Sequence, residues 1–161
     1  MTEAQKKYGF LALVFGACVA LDQITKQAIL DRFVLGESKE VISGLFSLTY
    51  VRNKGAAFGF LHSAPEAFRE PFFLAVPILA IFVLAYLYYR LKSGERLSAW
   101  ALSLILSGAA GNLIDRVRFG YVVDFLDFYR VQWGHWPAFN VADMAIVTGV
   151  SLLFIHSFWR P

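Results

Sequence analysis

Cysteine is nearly absent from this sequence, since Cys18 is the single cysteine among 161 residues. A disulfide within the chain is therefore impossible, which excludes membrane disulfide oxidoreductases and cysteine-rich metal sites, because both need several cysteines. The three histidines, His62, His135 and His156, are too scattered to give a metal-ligand spacing such as H-E-x-x-H. We therefore expect neither a metal ion nor another cofactor.

Charged residues are also scarce, at 17% of the chain, whereas 58% of the residues are hydrophobic and the mean hydropathy is +0.55. A soluble domain is usually about 45–50% apolar, so the composition indicates an integral membrane protein. The net charge of +3 comes without a dense Lys/Arg stripe. That balance fits contact with phospholipid headgroups and argues against nucleic-acid binding.

Four apolar stretches predict membrane-spanning helices at about 8–33, 71–89, 97–115 and 139–159. The connecting segments, 34–70 and 116–138, contain pieces in which apolar and polar residues alternate as they do in strands. Residues 62–71 read as a short interfacial helix leading into the second span. We predict an all-α polytopic membrane protein, one domain over residues 1–161, with four transmembrane helices, a small outward-facing β-sheet and this interfacial helix.

The basic residues give two indications of orientation. Six of the fifteen lie close to helix ends, at the termini and between the second and third spans: Lys6, Lys7, Arg90, Lys92, Arg96 and Arg160. The other nine lie on the opposite side, in much longer segments with acids interspersed. The raw number of basic residues favours cytoplasmic connections, whereas their density next to the spans favours cytoplasmic termini. We follow density, which predicts cytoplasmic termini and outward-facing connections.

Polar side chains gather at the end of the third span. Gly108, Asn112 and Asp115 share one helix face, and Arg116 lies one turn beyond Asn112. A charge near hydrocarbon costs about 2.5–3.5 kcal/mol on insertion scales, so carboxylates kept there suggest a function. The structural alternatives are ordinary small-residue helix packing for Gly108 and an arginine that reaches back to the interface for Arg116.

Asp124 and Asp127 follow on an alternating stretch, where a strand would place them on opposite faces and leave one of them solvated. Asn140 and Asp143 open the fourth span in positions that suit an N-cap and the third helical residue. Capping and catalysis therefore both remain open for Asp143. Paired with Asp124, it would share a proton, which is how aspartic proteases hold one acid and one base around a water.

Two other polar features have simpler interpretations by local pattern. Asp22 and Lys26 are four residues apart on the first helix, and a structural ion pair is favoured over a catalytic role. Asn53, which precedes Lys54 and Gly55, is typical of a turn.

Five segments together resemble the lipoprotein signal peptidase (signal peptidase II) family, in the same order and over nearly the whole chain. They are DQITK (22–26), RNKGAAFG (52–59), GNLIDR (111–116), VVDFLD (122–127) and FNVAD (139–143). The resemblance implies an aspartyl endopeptidase of the bacterial inner membrane, with four transmembrane helices and a periplasmic β-sheet. Such an enzyme cuts the signal peptide from diacylglyceryl-modified prolipoproteins, just before the lipidated cysteine.

The same resemblance assigns the site. Its catalytic aspartates are Asp124 and Asp143, and Asp22 with Lys26 is its ion pair in the first helix. The substrate-binding and supporting residues are Asn53, Gly108, Asn112, Asp115, Arg116 and Asn140, with Gly108 leaving room for the substrate chain. The implied partners are lipid-modified prolipoprotein signal peptides, membrane phospholipid and globomycin-type cyclic peptide inhibitors. We expect a monomer with its active site at the periplasmic face.

Two other functions fit parts of the pattern. A small proton-coupled transporter would have several helices with intramembrane acids, but it should carry an acid near the middle of the bilayer. A non-catalytic membrane scaffold would use the acids only to cap helices, so neutralising Asp124 would leave its function intact.

Overall fold

The structure, a computed structural model, describes residues 1–55, 65–130, 132 and 134–159. Its helices are α1 (Glu3–Arg32), α2 (Glu66–Arg90), α3 (Arg96–Phe119) and α4 (Val141–Trp159). Its strands are β1 (Ser38–Ile42), β2 (Phe46–Asn53), β3 (Val122–Arg130) and β4 (Gly134–His135). Within these residues, all four helices are long and apolar enough to cross a membrane, as the sequence predicts.

The first span begins earlier than the hydropathy indicates, because a capping box at Thr2 and Gln5 starts α1 at Glu3. The third span continues through Arg116 to Phe119. It ends where Gly120 adopts a left-handed conformation, with φ at 76°, and donates its N–H to the Arg116 carbonyl. A glycine at this position carries no Cβ penalty, which makes it a common helix terminator. The turn sends the chain directly into β3.

The expected interfacial helix is not a separate element in the described residues. The chain enters α2 at Glu66 and continues without a break through Pro71 and Pro77 to Arg90. Residues 66–70 are therefore the first turns of a long helix, and residues 62–64 lie outside the described part of the chain. The small sheet is confirmed, and its strands pair antiparallel in the order β1-β2-β3-β4.

Helix α3 is the centre of the bundle. Of the residues in its most apolar stretch, 61% are buried inside the protein, against 6–17% in the corresponding stretches of the other three helices. It packs against α1, α2 and α4. A cluster of buried hydrophobic residues joins the end of α1 to the sheet: Ile29, Tyr50, Val123 and Phe125. The central helix therefore meets α1, α4 and β3 at one end of the molecule, where its polar residues lie.

Candidate active site

The first turn of α4 forms a reciprocal cap. The side-chain oxygen of Asn140 accepts a hydrogen bond from the Asp143 backbone N–H at 2.9 Å, and Asp143 Oδ2 accepts one from the Asn140 N–H at 3.2 Å. This is the capping-box geometry, in which each side chain satisfies a donor that the helix leaves unpaired. The local pattern of the sequence therefore predicted this part of the site correctly.

Asp124 lies beside this cap because the chain before α4 pairs with β3. Phe139 exchanges backbone hydrogen bonds with Leu126, at 2.8 Å and 3.1 Å, which places the next residue, Asn140, against Asp124. The Asn140 side-chain amide donates to Asp124 Oδ1 at 2.7 Å. Asn140 thus binds both carboxylates: Asp124 through its side chain and Asp143 through its backbone.

The other oxygen of Asp124 is bound from β2. Asn53 Nδ2 donates to Asp124 Oδ2 at 3.0 Å, while Asn53 Oδ1 accepts the Gly55 N–H at 2.9 Å. The turn that the sequence indicated at Asn53 is therefore real, and it fixes which amide atom faces the carboxylate. Residues 56–59 of the same motif lie outside the described residues.

Asn112 connects the central helix to the cap. Its Nδ2 donates to Asp143 Oδ1 at 2.7 Å, and its Oδ1 accepts from Asn140 Nδ2 at 3.1 Å and from the Lys26 ammonium at 3.0 Å. An amide in an apolar helix needs partners for both its ends, and here every partner is a predicted site residue. Asp124, Asp143, Asn112 and Asn140 therefore form one continuous network.

The environment of Asp124 favours its protonated form. Burial and, after it, the negative charge of Asp143 raise the pKa of Asp124 to about 7. The hydrogen bonds from Asn53 and Asn140, together with the Lys26 charge, lower this pKa and offset part of the effect. Asp124 is only 2% exposed. A carboxyl group in this environment can hold a proton near neutral pH, which is the property that an acid–base pair requires.

Behind the network lies a buried charge cluster. The Lys26 ammonium lies 2.9 Å from Asp22 Oδ2 and 2.9 Å from Asp115 Oδ2, and all three residues are at most 2% exposed. The predicted Asp22–Lys26 pair is present, and Asp115 extends it. With Asn112, the three N–H donors of Lys26 have three acceptors, which is the condition under which a buried ion can be retained.

The two acids of this cluster also fix the backbone around the site. Asp22 Oδ1 accepts the Ala142 N–H at 3.0 Å, so a residue of α1 caps the start of α4. Asp115 Oδ2 accepts the Val123 N–H at 3.1 Å and so holds the start of β3. The cluster therefore joins α1, α3, β3 and α4 at the point where Asp124 and Asp143 meet.

Gln23 belongs to the site and was not predicted. Its Nε2 lies 2.9 Å from Asp115 Oδ1 and 3.1 Å from Asp22 Oδ2, and it contacts the Gly111 carbonyl at 3.3 Å. Its position beside Asp22 was the available signal, because an amide within an apolar span must find hydrogen-bond partners. Its contacts orient both acids of the charge cluster.

Arg116 is half-buried and lies at the edge of the network. Its guanidinium interacts electrostatically with Asp143, Asp124 and Asp115. Its Nε is buried without a hydrogen-bond partner among the described residues. A cationic fork with an unused donor beside two carboxylates is suited to bind an oxygen of an incoming molecule.

Gly108 does not leave room for a substrate. A Cβ at this position would overlap the Ala142 carbonyl oxygen, and Ile146 Cγ1 would lie only 2.7 Å away. The space that a Cβ at Gly108 would take is filled by α4, so this direction has no room for the substrate chain, and the alternative of small-residue helix packing is the one that the structure fits. The glycine supports the site in another way, because it lets α3 approach α4 closely enough for Asn112 to reach Asp143.

Asp127 is not solvated, and neither is Asp124, so the expectation that one of these two aspartates is solvated is wrong. It is 8% exposed, and its carboxylate accepts from His135 Nδ1 at 2.9 Å, where β4 pairs with β3. The strand geometry explains the separation from Asp124, because residues an odd number apart point to opposite faces. Asp127 therefore has a structural role at the outer edge of the sheet.

The arrangement can polarise and deprotonate a water molecule. Each carboxylate oxygen of the pair is fixed by one donor, which leaves further lone pairs for a water. Among the described residues, no group of three His, Cys, Asp or Glu side chains is placed to hold a metal ion. The two carboxyl groups, held in this way, support general acid–base catalysis.

Comparisons with known proteins agree with this chemistry. Residues 14–159 match the family described as Signal peptidase (SPase) II. A lipoprotein signal peptidase of Geobacter sulfurreducens is 53% identical over 91% of this chain and 89% of its own length. The corresponding protein of Syntrophotalea carbinolica is 48% identical over 96% of this chain and 93% of its own.

The fold has a counterpart among solved structures. A bacterial membrane enzyme determined by the in meso method at 1.9 Å resolution superposes with a TM-score of 0.83. It is 34% identical in sequence, and the match covers 95% of both chains. A second such enzyme, at 2.3 Å resolution, gives a TM-score of 0.81 over 93% of this chain.

Proposed function

Because the chain belongs to the signal peptidase II family, we propose that Asp124 and Asp143 are the catalytic dyad of this aspartic peptidase. The protein is an inner-membrane enzyme that removes signal peptides from prolipoproteins. Nothing in its relatives supports a transporter. The observation that carries the assignment is that Asn140 binds both carboxylates at once, at 2.7 Å and 3.2 Å.

The two aspartates divide the work of peptide hydrolysis. Asp143 acts as the base and takes a proton from a water held between the carboxyl groups. The water oxygen bonds to the carbonyl carbon that precedes the lipidated cysteine, and Asp124 donates its proton to the carbonyl oxygen. The C–N bond then breaks as protonated Asp143 gives its proton to the leaving amine nitrogen, while Asp124 takes a proton back from a hydroxyl of the tetrahedral intermediate, which reforms the carbonyl and restores both carboxyl groups. Asp124 is given the acid role because its pKa is raised to about 7.

The surrounding residues hold this geometry. Asn112 and Asn140 orient Asp143, while Asn53 and Asn140 orient Asp124. The charge cluster of Asp22, Lys26 and Asp115 fixes the backbone around them. Arg116 uses its free Nε and its positive charge to bind a backbone carbonyl of the substrate, which keeps the scissile bond in register with the dyad.

The site opens to the periplasm, and both termini lie in the cytoplasm. The dense basic residues beside α1 and between α2 and α3 favour this orientation. The diacylglyceryl group of the substrate reaches the dyad sideways from the bilayer, so phospholipid surrounds the access path. Globomycin-type cyclic peptides occupy the same site, and the enzyme acts as a monomer.

Cleavage of a purified lipidated prolipoprotein tests the dyad. Asp124→Asn and Asp143→Asn should each reduce kcat by about a thousandfold or more, since removing one member of an acid–base unit disables the whole unit. Asp127→Asn is the matched control, because it changes an aspartate of the same strand outside the network. If either dyad variant folds and retains near-normal turnover, that aspartate is not catalytic and the assignment of the dyad is wrong. Loss of turnover in Asp127→Asn alone would show that Asp127, and not the proposed pair, is catalytic.

Orientation needs its own experiment. A Gly94→Cys variant in a Cys18→Ala background carries one thiol, in the turn between α2 and α3. A membrane-impermeant maleimide should leave it unlabelled in intact cells and label it after lysis. Labelling in intact cells would reverse the proposed orientation without affecting the dyad.

A further inference from the structure

A cavity of about 370 Å³ lies at the end of the bundle opposite the candidate active site. It is bounded by the first two turns of α1 and by the connection between α2 and α3, and we name it the basal cavity. Arg96 lines it and Asn112 lies in the active-site network, so α3 separates the two sites by about 24 Å. Its volume falls in the range of about 300–1,000 Å³ that is usual for ligand sites.

The lining of the basal cavity carries more positive than negative charge. Its charged residues are four basic and two acidic ones: Lys6, Lys7, Lys92, Arg96, Glu3 and Glu95. Lys7 is held in the wall, because its ammonium donates to the carbonyls of Tyr89 and Leu91 at 2.9 Å and 2.8 Å. Lys6 is paired with Glu3 at 2.9 Å.

Two cations remain available for a ligand. The side chains of Lys92 and Arg96 form no direct salt bridge within the described residues, and both are exposed. Arg96 interacts with Glu3 only at longer range. Lys92 lies in the turn between α2 and α3, and Arg96 is the first residue of α3. Glu95 rigidifies this turn by accepting the Lys92 backbone N–H at 2.8 Å. The two charges therefore flank the cavity beside the already satisfied Lys7.

The remaining wall is aromatic. Phe10 and Trp100 make an edge-to-face contact with ring centroids 4.7 Å apart, and Trp100 remains 48% exposed. Both lie one turn deeper in their helices than the basic residues, on the side of the hydrocarbon. A tryptophan at this depth is typical of the level of lipid headgroups and glycerol. The basal cavity thus has a cationic mouth and an apolar inner wall.

We propose that the basal cavity binds the phosphate-bearing headgroup of an anionic phospholipid in the leaflet opposite the active site. The phosphate contacts Lys92 and Arg96, and the glycerol and upper acyl chain lie against Phe10 and Trp100. A basic segment of a signal peptide is disfavoured by the excess of positive charge, and a soluble anion would make no use of the aromatic wall. The proposal is independent of the catalytic roles of Asp124 and Asp143.

Native mass spectrometry of the purified full chain tests this proposal. The protein in detergent is mixed with phosphatidylglycerol or phosphatidylcholine of the same acyl chains. Wild type should retain one phosphatidylglycerol in preference to phosphatidylcholine. The double variant Lys92→Gln/Arg96→Gln should lose this retention by roughly 25-fold, since each basic residue near an anionic lipid contributes about a fivefold factor. Raising the salt concentration should weaken the wild-type preference in the same direction.

Arg90→Gln is the matched control. Arg90 is the last residue of α2, directly before this turn, but it bonds to the Tyr86 hydroxyl at 2.9 Å and does not line the cavity. It should retain phosphatidylglycerol as wild type does. If the double variant melts early, the two single variants replace it, and each should lose about fivefold.

Three outcomes would overturn the proposal. Equal retention of the two lipids would show that charge does not select the ligand. Unchanged retention of phosphatidylglycerol in the folded double variant would show that the lipid binds elsewhere on the protein. Full displacement of phosphatidylglycerol by millimolar glycerol 3-phosphate would identify a site for soluble phosphates, for which the aromatic wall is irrelevant.

Discussion

Asn140 and Asp143 cap one helix end for each other, yet the cap uses only part of the aspartate. Asp143 Oδ2 accepts the Asn140 N–H at 3.2 Å, while Asp143 Oδ1 accepts from Asn112 at 2.7 Å. Capping and catalysis, which the sequence left as alternatives, are thus compatible in one side chain. Capping holds the carboxylate in place, and the remaining lone pairs can bind a water.

Activity should fall above about pH 7. The dyad needs one proton, and burial together with the Asp143 charge raises the pKa of Asp124 to about 7. As the pH rises beyond that value, the proton is lost and no general acid remains, so kcat/KM should fall about tenfold per pH unit. Steady-state cleavage between pH 5 and 9 measures this. A rate that keeps rising through pH 9 would contradict the assignment of the acid.

Stability should depend on pH through the same group. The pKa of Asp124 is about 7 in the folded protein and about 3.9 in an unfolded chain. Between those values the unfolded chain releases a proton that the folded protein keeps, so the free energy of unfolding decreases as the pH rises. The decrease is complete above about pH 7 and amounts to at most about 4 kcal/mol.

Melting temperatures in detergent from pH 4 to 8 detect this decrease by comparison with Asp124→Asn, which cannot ionise there. The wild-type Tm should fall across this range relative to that of the variant. Parallel Tm curves for the two proteins would refute the linkage.

Removing the cation of the buried cluster should be severely destabilising. Lys26→Met leaves Asp22 and Asp115 buried without a counter-charge, which costs about 3–5 kcal/mol. The triple variant Asp22→Asn/Lys26→Met/Asp115→Asn should recover part of this loss, because no uncompensated charge remains. Thermal unfolding measures both.

Lys6→Gln is the control for this substitution. It breaks the Lys6–Glu3 pair, whose side chains are 61% and 70% exposed, and water already screens that interaction. Its Tm should match that of wild type. An equal fall of Tm in Lys6→Gln and Lys26→Met would show that the burial of the cluster does not cause the destabilisation.

A methyl group at Gly108 should separate α3 from α4. In Gly108→Ala the new Cβ would meet the Ala142 carbonyl and Ile146, so one helix must shift. Overpacking of this kind costs about 1–3 kcal/mol. The shift would also lengthen the Asn112–Asp143 hydrogen bond, and we expect cleavage to fall by about tenfold or more.

Gly9→Ala provides the opposite case for the same chemical change. Gly9 lies in α1, and a Cβ added there would have no neighbouring atom within 4 Å, so alanine should stabilise the helix by about 0.5–1 kcal/mol. Tm and cleavage rates of Gly108→Ala and Gly9→Ala show whether close contact between α3 and α4 is required. A Gly108→Ala protein with wild-type Tm and turnover would show that close helix contact is not required.

Local patterns in the sequence predicted the helices, the presence of a small sheet and the reciprocal cap. A span needs about 20 apolar residues in succession, and a cap needs two residues three positions apart. Both are properties of neighbouring residues. The same is true of the Asp22–Lys26 pair, whose members lie on adjacent turns of α1.

Tertiary structure alone decided which of these pieces meet. Asp22 reaches Ala142 across 120 residues, Gln23 reaches Asp115 across 92, and Lys26 reaches Asn112 across 86. Periodicity carries no information about such pairs, because it describes which face a residue is on and not which helix that face contacts. The family resemblance supplied the roles of Asp124 and Asp143. Packing around α3 decided that Gly108 faces a helix and that Asp127 pairs with His135, because only the folded chain brings those surfaces together.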